Sequence, residues 1–215
     1  MSKNLQHYRK AYEKGTLTKT EMARDPFQQF QQWFEIAEAT NAVDEVNAMA
    51  LTTIGEDNFP KARMVLLKGY DTNGFVFYTN YHSEKGKAIA HNPNVCISFF
   101  WPTLERQVII KGVAKKISEQ RSAAYHESRP RKSQLGALAS QQGQTIESRE
   151  ELEDRLAVLQ KKYKNRPVPK PAHWGGYNIS PIYFEFWQGR RNRLHDRLVY
   201  KRGASSVWTI TRLQP

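Results

Sequence analysis

Ala62-Arg63-Met64-Val65-Leu66-Leu67-Lys68-Gly69-Tyr70-Asp71-Thr72-Asn73-Gly74-Phe75-Val76-Phe77-Tyr78-Thr79 is the stretch on which the fold turns. Residues 62–70 and 75–79 read as strands, and Asp71-Thr72-Asn73-Gly74 reads as the turn that joins them. Strands joined by so short a connection pair antiparallel. Outward from this hairpin, 48–54 is a further strand, closed by the turn signal Glu56-Asp57-Asn58. A short helix over 84–91 ends before Pro93, and strands over 95–101 and 105–117 follow. Three more strands, 182–188, 193–201 and 207–213, finish the chain. The order is helix, five strands, helices, three strands, without the strand–helix alternation of a doubly wound parallel sheet. The expected class is α+β, an antiparallel β-barrel or curved sheet with peripheral helices.

The helices have clear local signals. Asp25-Pro26 is a capping residue followed by proline at the first helical position, and Phe27, Phe30, Trp33, Phe34 and Ala37 follow at helical spacing. Residues 118–164 read as helical, with a capping box at Ser148-Arg149-Glu150-Glu151 and an apolar line of Leu152, Leu156, Leu159 and Tyr163. Pro167, Pro169 and Pro171 then extend the chain. The first 25 residues are basic and poor in apolar side chains; they read as a short helix plus a mobile arm, with 26–215 as a single domain.

The chain has 215 residues, 39% of them hydrophobic and 12% aromatic, which excludes wholesale disorder and suffices for a core without disulfide or metal staples. Its formal charge of +12 predicts anionic or phosphorylated partners. Cys96, the single cysteine, excludes an intrachain disulfide, fits a reducing cytosol, and reads as core packing in an apolar run. The polar Met-Ser-Lys-Asn-Leu-Gln-His-Tyr start lacks a signal-peptide core, and no apolar run approaches the ~18 residues of a membrane span. The expectation is a cytoplasmic protein with no membrane partner. No dinucleotide, Walker, zincin or nucleophile-elbow motif is present, and the six histidines show no metal-ligand spacing.

Four segments could carry chemistry. In Phe186-Trp187-Gln188-Gly189-Arg190-Arg191-Asn192-Arg193-Leu194-His195-Asp196-Arg197, a regular strand would put Arg193, His195 and Arg197 on one face, with Leu194 and Asp196 on the other. Such crowding of positive charge calls for an anion or an electron-rich ring opposite; the alternative is a solvated edge strand. The ligand reading is preferred because Trp187 and Gln188 lie just upstream. Arg63 and Lys68 bracket an apolar strand at an odd separation, on opposite faces unless a bulge brings them together. Tyr78-Thr79-Asn80 and Ser83-Glu84-Lys85-Gly86-Lys87 offer hydroxyls, a lysine and a helix start suited to phosphate, or simply an ordinary capped turn. Tyr125-His126-Glu127-Ser128-Arg129-Pro130-Arg131-Lys132-Ser133-Gln134 could hold a second phosphate or be a charged helix–helix elbow.

Taken together these segments resemble the pyridoxine/pyridoxamine 5′-phosphate oxidase family. The resemblance runs from about residue 25 to 215. It is carried in order by Arg63–Lys68, Phe77-Tyr78-Thr79-Asn80, Leu104-Glu105-Arg106-Gln107-Val108, Ser128-Arg129-Pro130-Arg131, Ser133-Gln134-Leu135-Gly136-Ala137, Trp174-Gly175-Gly176, Glu185-Phe186-Trp187-Gln188-Gly189 and Arg193-Leu194-His195-Asp196-Arg197. It implies an FMN-binding split β-barrel and a homodimer with FMN at the subunit interface. The implied reaction is oxidation of pyridoxine or pyridoxamine 5′-phosphate to pyridoxal 5′-phosphate, with O2 reduced to H2O2. The implied FMN residues are Arg63, Met64, Val65, Leu66, Leu67, Lys68, Tyr78, Thr79, Lys85, Gln107, Gln142, Gly143, Trp187 and Arg197. The implied substrate residues are Arg9, Tyr12, Lys68, Tyr125, Arg129, Ser133, Arg193, Leu194 and His195, with Arg193 and His195 catalytic and no metal. The chain departs from the family pattern in three places, one of them Arg190 and Arg191, which extend the positive charge of their loop. Glu84 replaces an arginine commonly found beside the FMN phosphate, leaving Lys85 or Lys87 to compensate, and Gly143 replaces a hydroxyl residue. A basic nucleic-acid-binding protein, another split-barrel flavoprotein and a non-enzymatic FMN store are the rival readings.

Overall fold

Asp25 caps the first helix, α1 (Pro26–Ala39), by accepting the Phe27 N–H at 2.8 Å, and Phe30, Trp33 and Ala37 form its buried stripe. The computed structural model describes residues 2–203 and 207–215. The strands are β1 (Ala48–Ile54), β2 (Pro60–Leu66), β3 (Gly69–Asp71), β4 (Gly74–Asn80), β5 (Asn94–Trp101), β6 (Arg106–Lys116), β7 (Trp174–Gln188), β8 (Asp196–Arg202) and β9 (Trp208–Leu213). The remaining helices are α2 (Glu84–His91), α3 (Glu119–Ser128), α4 (Arg131–Ala139) and α5 (Arg149–Lys162). The sheet order is β2-β1-β5-β6-β7-β4-β3, with β8 on β7 and β9 on β8. The β3–β4, β4–β7, β7–β8 and β8–β9 pairs are antiparallel, as the short turns require. No helix among the described residues is long and apolar enough to cross a membrane.

The chain partitions into two compact units, residues 51–96 with 112–180, and residues 1–50 with 97–111 and 181–215. In the first, β4 pairs with the start of β7 from Phe75↔Ile179 to Asn80↔Trp174, and helices α2 to α5 follow from the same segments. In the second, α1 lays Trp33 edge-on to Phe186 at 5.2 Å and Phe30 against Phe99 at 5.1 Å, so aromatic packing dominates the core.

Three strand expectations need correction. Residues 62–70 do not form one strand. Pairing stops at Leu66 and resumes at Gly69, which buries Leu67 (4% exposed) and leaves Lys68 exposed. Strand β7 begins at Trp174, eight residues before the expected start, because Gly175, Gly176 and Pro181 dilute the strand signal there. The expected strand over 193–201 begins only at Asp196. Arg191–Arg193 is a 3-10 turn in which Asn192 and Arg193 take left-handed backbone (φ 56° and 61°), so strand alternation does not orient Arg193. The region 118–164 resolves into three helices, with Pro130 at the first break. Before α1, the described arm has one 3-10 turn, Lys19–Glu21.

Helix α2 depends on Ser83, which is buried, accepts the Gly86 N–H at 3.3 Å and donates to the Asn80 carbonyl at 2.6 Å. Ser83→Ala removes both bonds and should cost about 1–2 kcal/mol. At this size that lowers Tm by roughly 2–8 °C in a calorimetric scan. An unchanged Tm would show that the cap does not support the helix.

Candidate active site

Residues 51–96 and 112–180 enclose a cavity of about 720 Å3. Strand β2 and the residues after it bring Arg63, Met64, Val65, Leu66 and Lys68 to its wall. The end of β4 contributes Tyr78, Thr79 and Asn80, and α2 contributes Lys85 from its first turn. The α3–α4 region adds Tyr125, Arg129 and Ser133, followed by Gly136, Ala137, Ser140, Gln142 and Trp174. The break after Leu66 is what lets Arg63 and Lys68 share this wall despite their odd separation. Four cations line the cavity, and among the described residues no carboxylate does.

Several of these side chains are held by their neighbours. Arg63 Nη1 donates to Thr53 Oγ1 (2.7 Å) and to the carbonyls of Lys61 (2.7 Å) and Leu51 (3.2 Å). Burial lowers the Arg63 pKa, against the opposing pull of Glu84. Burial, then the charge of Arg63, lowers that of Lys85. Tyr78 stacks on Tyr125 at 3.8 Å and on Trp174 at 5.5 Å, and burial raises both tyrosine pKa values. The Arg129 guanidinium lies over the Trp174 ring at 4.7 Å, and burial lowers its pKa. Its Nη1 is buried with no acceptor among the described residues. A charged donor left in that condition costs free energy until an acceptor arrives, so a cavity of this composition is built for an anion. Thr79 Oγ1 lies 3.5 Å from Gln142 Oε1. A flat aromatic ligand bearing a phosphate, such as FMN, fits this set of stacked rings, hydroxyls and unneutralised cations.

Residues 1–50, 97–111 and 181–215 hold a second cluster. Trp187 and His195 pack at 4.7 Å, and Tyr12 meets each edge-on at 5.7 Å. The Arg190 N–H donates to His195 Nδ1 at 3.1 Å, so the neutral ring carries its proton on Nε2. Burial, then the charge of Arg193, lowers the His195 pKa and favours that neutral form. Arg197 Nε donates to Glu185 Oε1 at 2.7 Å, and the Tyr183 hydroxyl donates to Oε2 at 2.7 Å. Burial pushes the Glu185 carboxyl up, but these bonds outweigh it and hold the carboxyl below its ordinary range.

Residues 36–163 match the sequence profile described as pyridoxamine 5′-phosphate oxidase. The chain belongs to the pyridoxamine 5′-phosphate oxidase family. Residues 174–215 match the pyridoxine 5′-phosphate oxidase C-terminal dimerisation region. A pyridoxine/pyridoxamine 5′-phosphate oxidase of Flavobacterium psychrophilum is 53% identical over 213 residues, covering 99% of this chain and 100% of the relative. That of Christiangramia forsetii is 50% identical over 215 residues, covering both chains completely. Among solved structures, PhzG of Burkholderia lata, in complex with tetrahydrophenazine-1-carboxylic acid, superposes with a TM-score of 0.85 at 26% identity, covering 91% of this chain and 95% of the other. A pyridoxamine 5′-phosphate oxidase-related FMN-binding protein of Nostoc punctiforme shares the fold at TM-score 0.71 and 16% identity, over 90% and 100% of the two chains. The α+β split barrel expected from the sequence is therefore the fold of this family member.

Of the residues expected from the family resemblance, Arg63–Leu66, Lys68, Tyr78, Thr79, Lys85, Gln142, Tyr125, Arg129 and Ser133 line the cavity together. Leu67 points into the core instead. Gly143 follows Gln142 with φ 91°, a backbone that favours glycine, and it does not line the cavity. Glu84 pairs with Lys61 at 2.6 Å, while Lys87 does not line this cavity. Tyr12, Trp187, Arg193, Leu194, His195 and Arg197 belong to the other unit, with Leu194 69% exposed. So does Gln107, which donates to Ser98 Oγ at 3.1 Å. Arg9 makes a local bond to the Gln6 carbonyl at 3.2 Å. The sequence reading missed Trp174 as the platform for Arg129, although Trp174-Gly175-Gly176 flagged the position, and it missed Glu185 as the partner of Arg197.

His126 lies beneath this platform, 0% exposed, edge-on to Trp174 at 5.4 Å, with both ring nitrogens unpartnered among the described residues. Burial, then the charges of Arg129 and Lys170, lowers its pKa from the ordinary 6.5, against Glu127. The unfolded chain therefore takes up a proton near pH 6.5 that the folded chain refuses, so stability present above that pH is lost below it. His195 shifts in the same direction but is less buried. Tm should fall between pH 7 and pH 5, and His126→Leu should flatten that dependence more than His195→Ala does. A slope unaffected by His126→Leu would exclude it as the source.

Proposed function

We propose that this chain oxidises pyridoxine 5′-phosphate or pyridoxamine 5′-phosphate to pyridoxal 5′-phosphate, with FMN as cofactor and O2 as the electron acceptor reduced to H2O2. The observation that carries the reading is the cavity of four cations without a carboxylate, in which Arg129 keeps a buried donor unpartnered. Full-length relatives of that name at about half identity support it. Arg63, Lys68, Tyr78, Thr79, Lys85 and Gln142 would hold FMN from this cavity, and Gln107, Trp187 and Arg197 would hold it from the second cluster. When bound, FMN supplies the two-electron redox chemistry that these side chains lack.

The chain's own part is binding and orientation. Lys68, Tyr125, Arg129 and Ser133 anchor the substrate phosphate, away from the carbon that reacts. Binding energy spent there fixes the reacting carbon in place, an effect worth up to roughly 7–11 kcal/mol in ideal geometry. Arg193 clamps the pyridine ring as a fixed cation rather than acting as a base. His195, neutral with its proton on Nε2, donates or relays a proton at the reacting end. The C-terminal dimerisation region supports a homodimer with FMN at the subunit interface, and the single cysteine supports a cytoplasmic setting.

The test is spectroscopic. FMN-loaded protein should show a flavin band that bleaches when pyridoxine 5′-phosphate is added without oxygen and returns with air; a band indifferent to the substrate would remove the proposed reaction. Arg129→Ala should raise KM for the phosphorylated substrate at least tenfold, about 1.4 kcal/mol. An unchanged KM would take Arg129 out of the phosphate site. Arg193→Ala should lower turnover severely while FMN stays bound, and wild-type turnover in the loaded variant would sink its role.

A further inference from the structure

Glu105 combines three uncommon properties. It is 1% exposed, its backbone is left-handed (φ 56°), and among the described residues no arginine pairs with it. Its carboxylate Oε2 accepts the backbone N–H groups of Glu13 (2.7 Å) and Lys14 (3.0 Å), with Lys10 Nζ 3.7 Å from Oε1. Its carbonyl accepts the Gly189 N–H (2.8 Å) and Gln188 Nε2 (3.3 Å). A buried carboxylate is costly unless charge-assisted bonds satisfy it, and here the satisfying donors come from the N-terminal arm. Three residues on, Asp196 accepts the Leu17 N–H at 3.0 Å, and Arg212 ties the same place by donating to the Leu17 carbonyl at 2.7 Å. Immediately before the first of these anchors the arm sets Tyr12 against Trp187 and His195. A Cβ on Gly189 would lie 2.8 Å from Tyr12 Cγ, so only glycine there admits the ring.

We infer that Glu105 is a positioning residue for the oxidation: it latches residues 10–14 so that Tyr12 closes over Trp187 and His195 and holds the substrate in place. The kinetic half of this inference rests on the proposed function; the latch itself does not.

The test pairs limited trypsin digestion with steady-state kinetics on the FMN-loaded, full-length protein. Glu105→Ala should speed cleavage after Lys10 about tenfold or more, and Glu105→Gln, which keeps an acceptor oxygen, should restore most of the protection. Lys14→Pro removes one latched N–H, along with the Lys14 Nζ bond to the Thr103 carbonyl (2.7 Å), without touching the buried carboxylate, and should also expose Lys10 if Glu105→Ala fails to fold. In each variant with a released arm, KM for pyridoxine 5′-phosphate should rise at least about fivefold with kcat within about twofold of wild type. A merely structural defect would lower the active fraction, and so the apparent kcat, and leave KM in place. Unchanged cleavage in Lys14→Pro and Glu105→Ala overturns the latch. Faster cleavage with unchanged KM overturns the positioning role. Wild-type protein that ignores the substrate overturns the proposed function, while the cleavage comparison still decides the latch.

Discussion

Positive charge withdrawn from water without a carboxylate to neutralise it is the constraint on which the cavity depends. Burial lowers the pKa of Arg63, Lys85 and Arg129 alike, so each is held at an electrostatic cost. The fold offsets that cost with oxygens and π-faces rather than with acids: three acceptors on Arg63 Nη1, the Trp174 ring beneath Arg129. Glu84, next in sequence to Lys85, is occupied by Lys61. An anionic ligand would complete an arrangement that the protein leaves electrostatically open, which is how a binding site differs from a structural ion-pair network.

What could be read from the sequence was local. The Asp25-Pro26 helix start, the turn at Asp71–Gly74 and helix α2 each rest on contacts within a few residues, and each is found where expected. The break at Leu67 and Lys68 was not legible, because burying Leu67 is a decision of the core and not of the strand's own pattern. The start of β7 was missed for a related reason: Trp174-Gly175-Gly176 is a poor strand sequence that becomes a strand by pairing with Asn80, Thr79 and Tyr78.

For the site, residue types and their order along the chain identified most of the cavity wall, while the supporting residues escaped. Glu105 and Glu13 are 92 positions apart, and no periodicity connects them. Arg193 illustrates the opposite error. Alternation in an R-x-H-x-R run put it on a strand face, whereas Asn192 and Arg193 form a left-handed turn before the strand begins. Asn tolerates that backbone and Arg does so at a cost of roughly 1–2 kcal/mol, so the conformation is maintained by its surroundings.

The partners of the arm also set an order of assembly. Leu17 waits for Asp196 across 179 positions, and the N–H groups of Glu13 and Lys14 wait for Glu105. During synthesis residues 13–17 emerge long before the groups that receive them, so this segment must stay uncommitted while the sheet forms and dock only near the end. The basic, polar composition of the first 25 residues suits that delay: a chain with little to bury neither collapses early nor templates a wrong pairing while it waits.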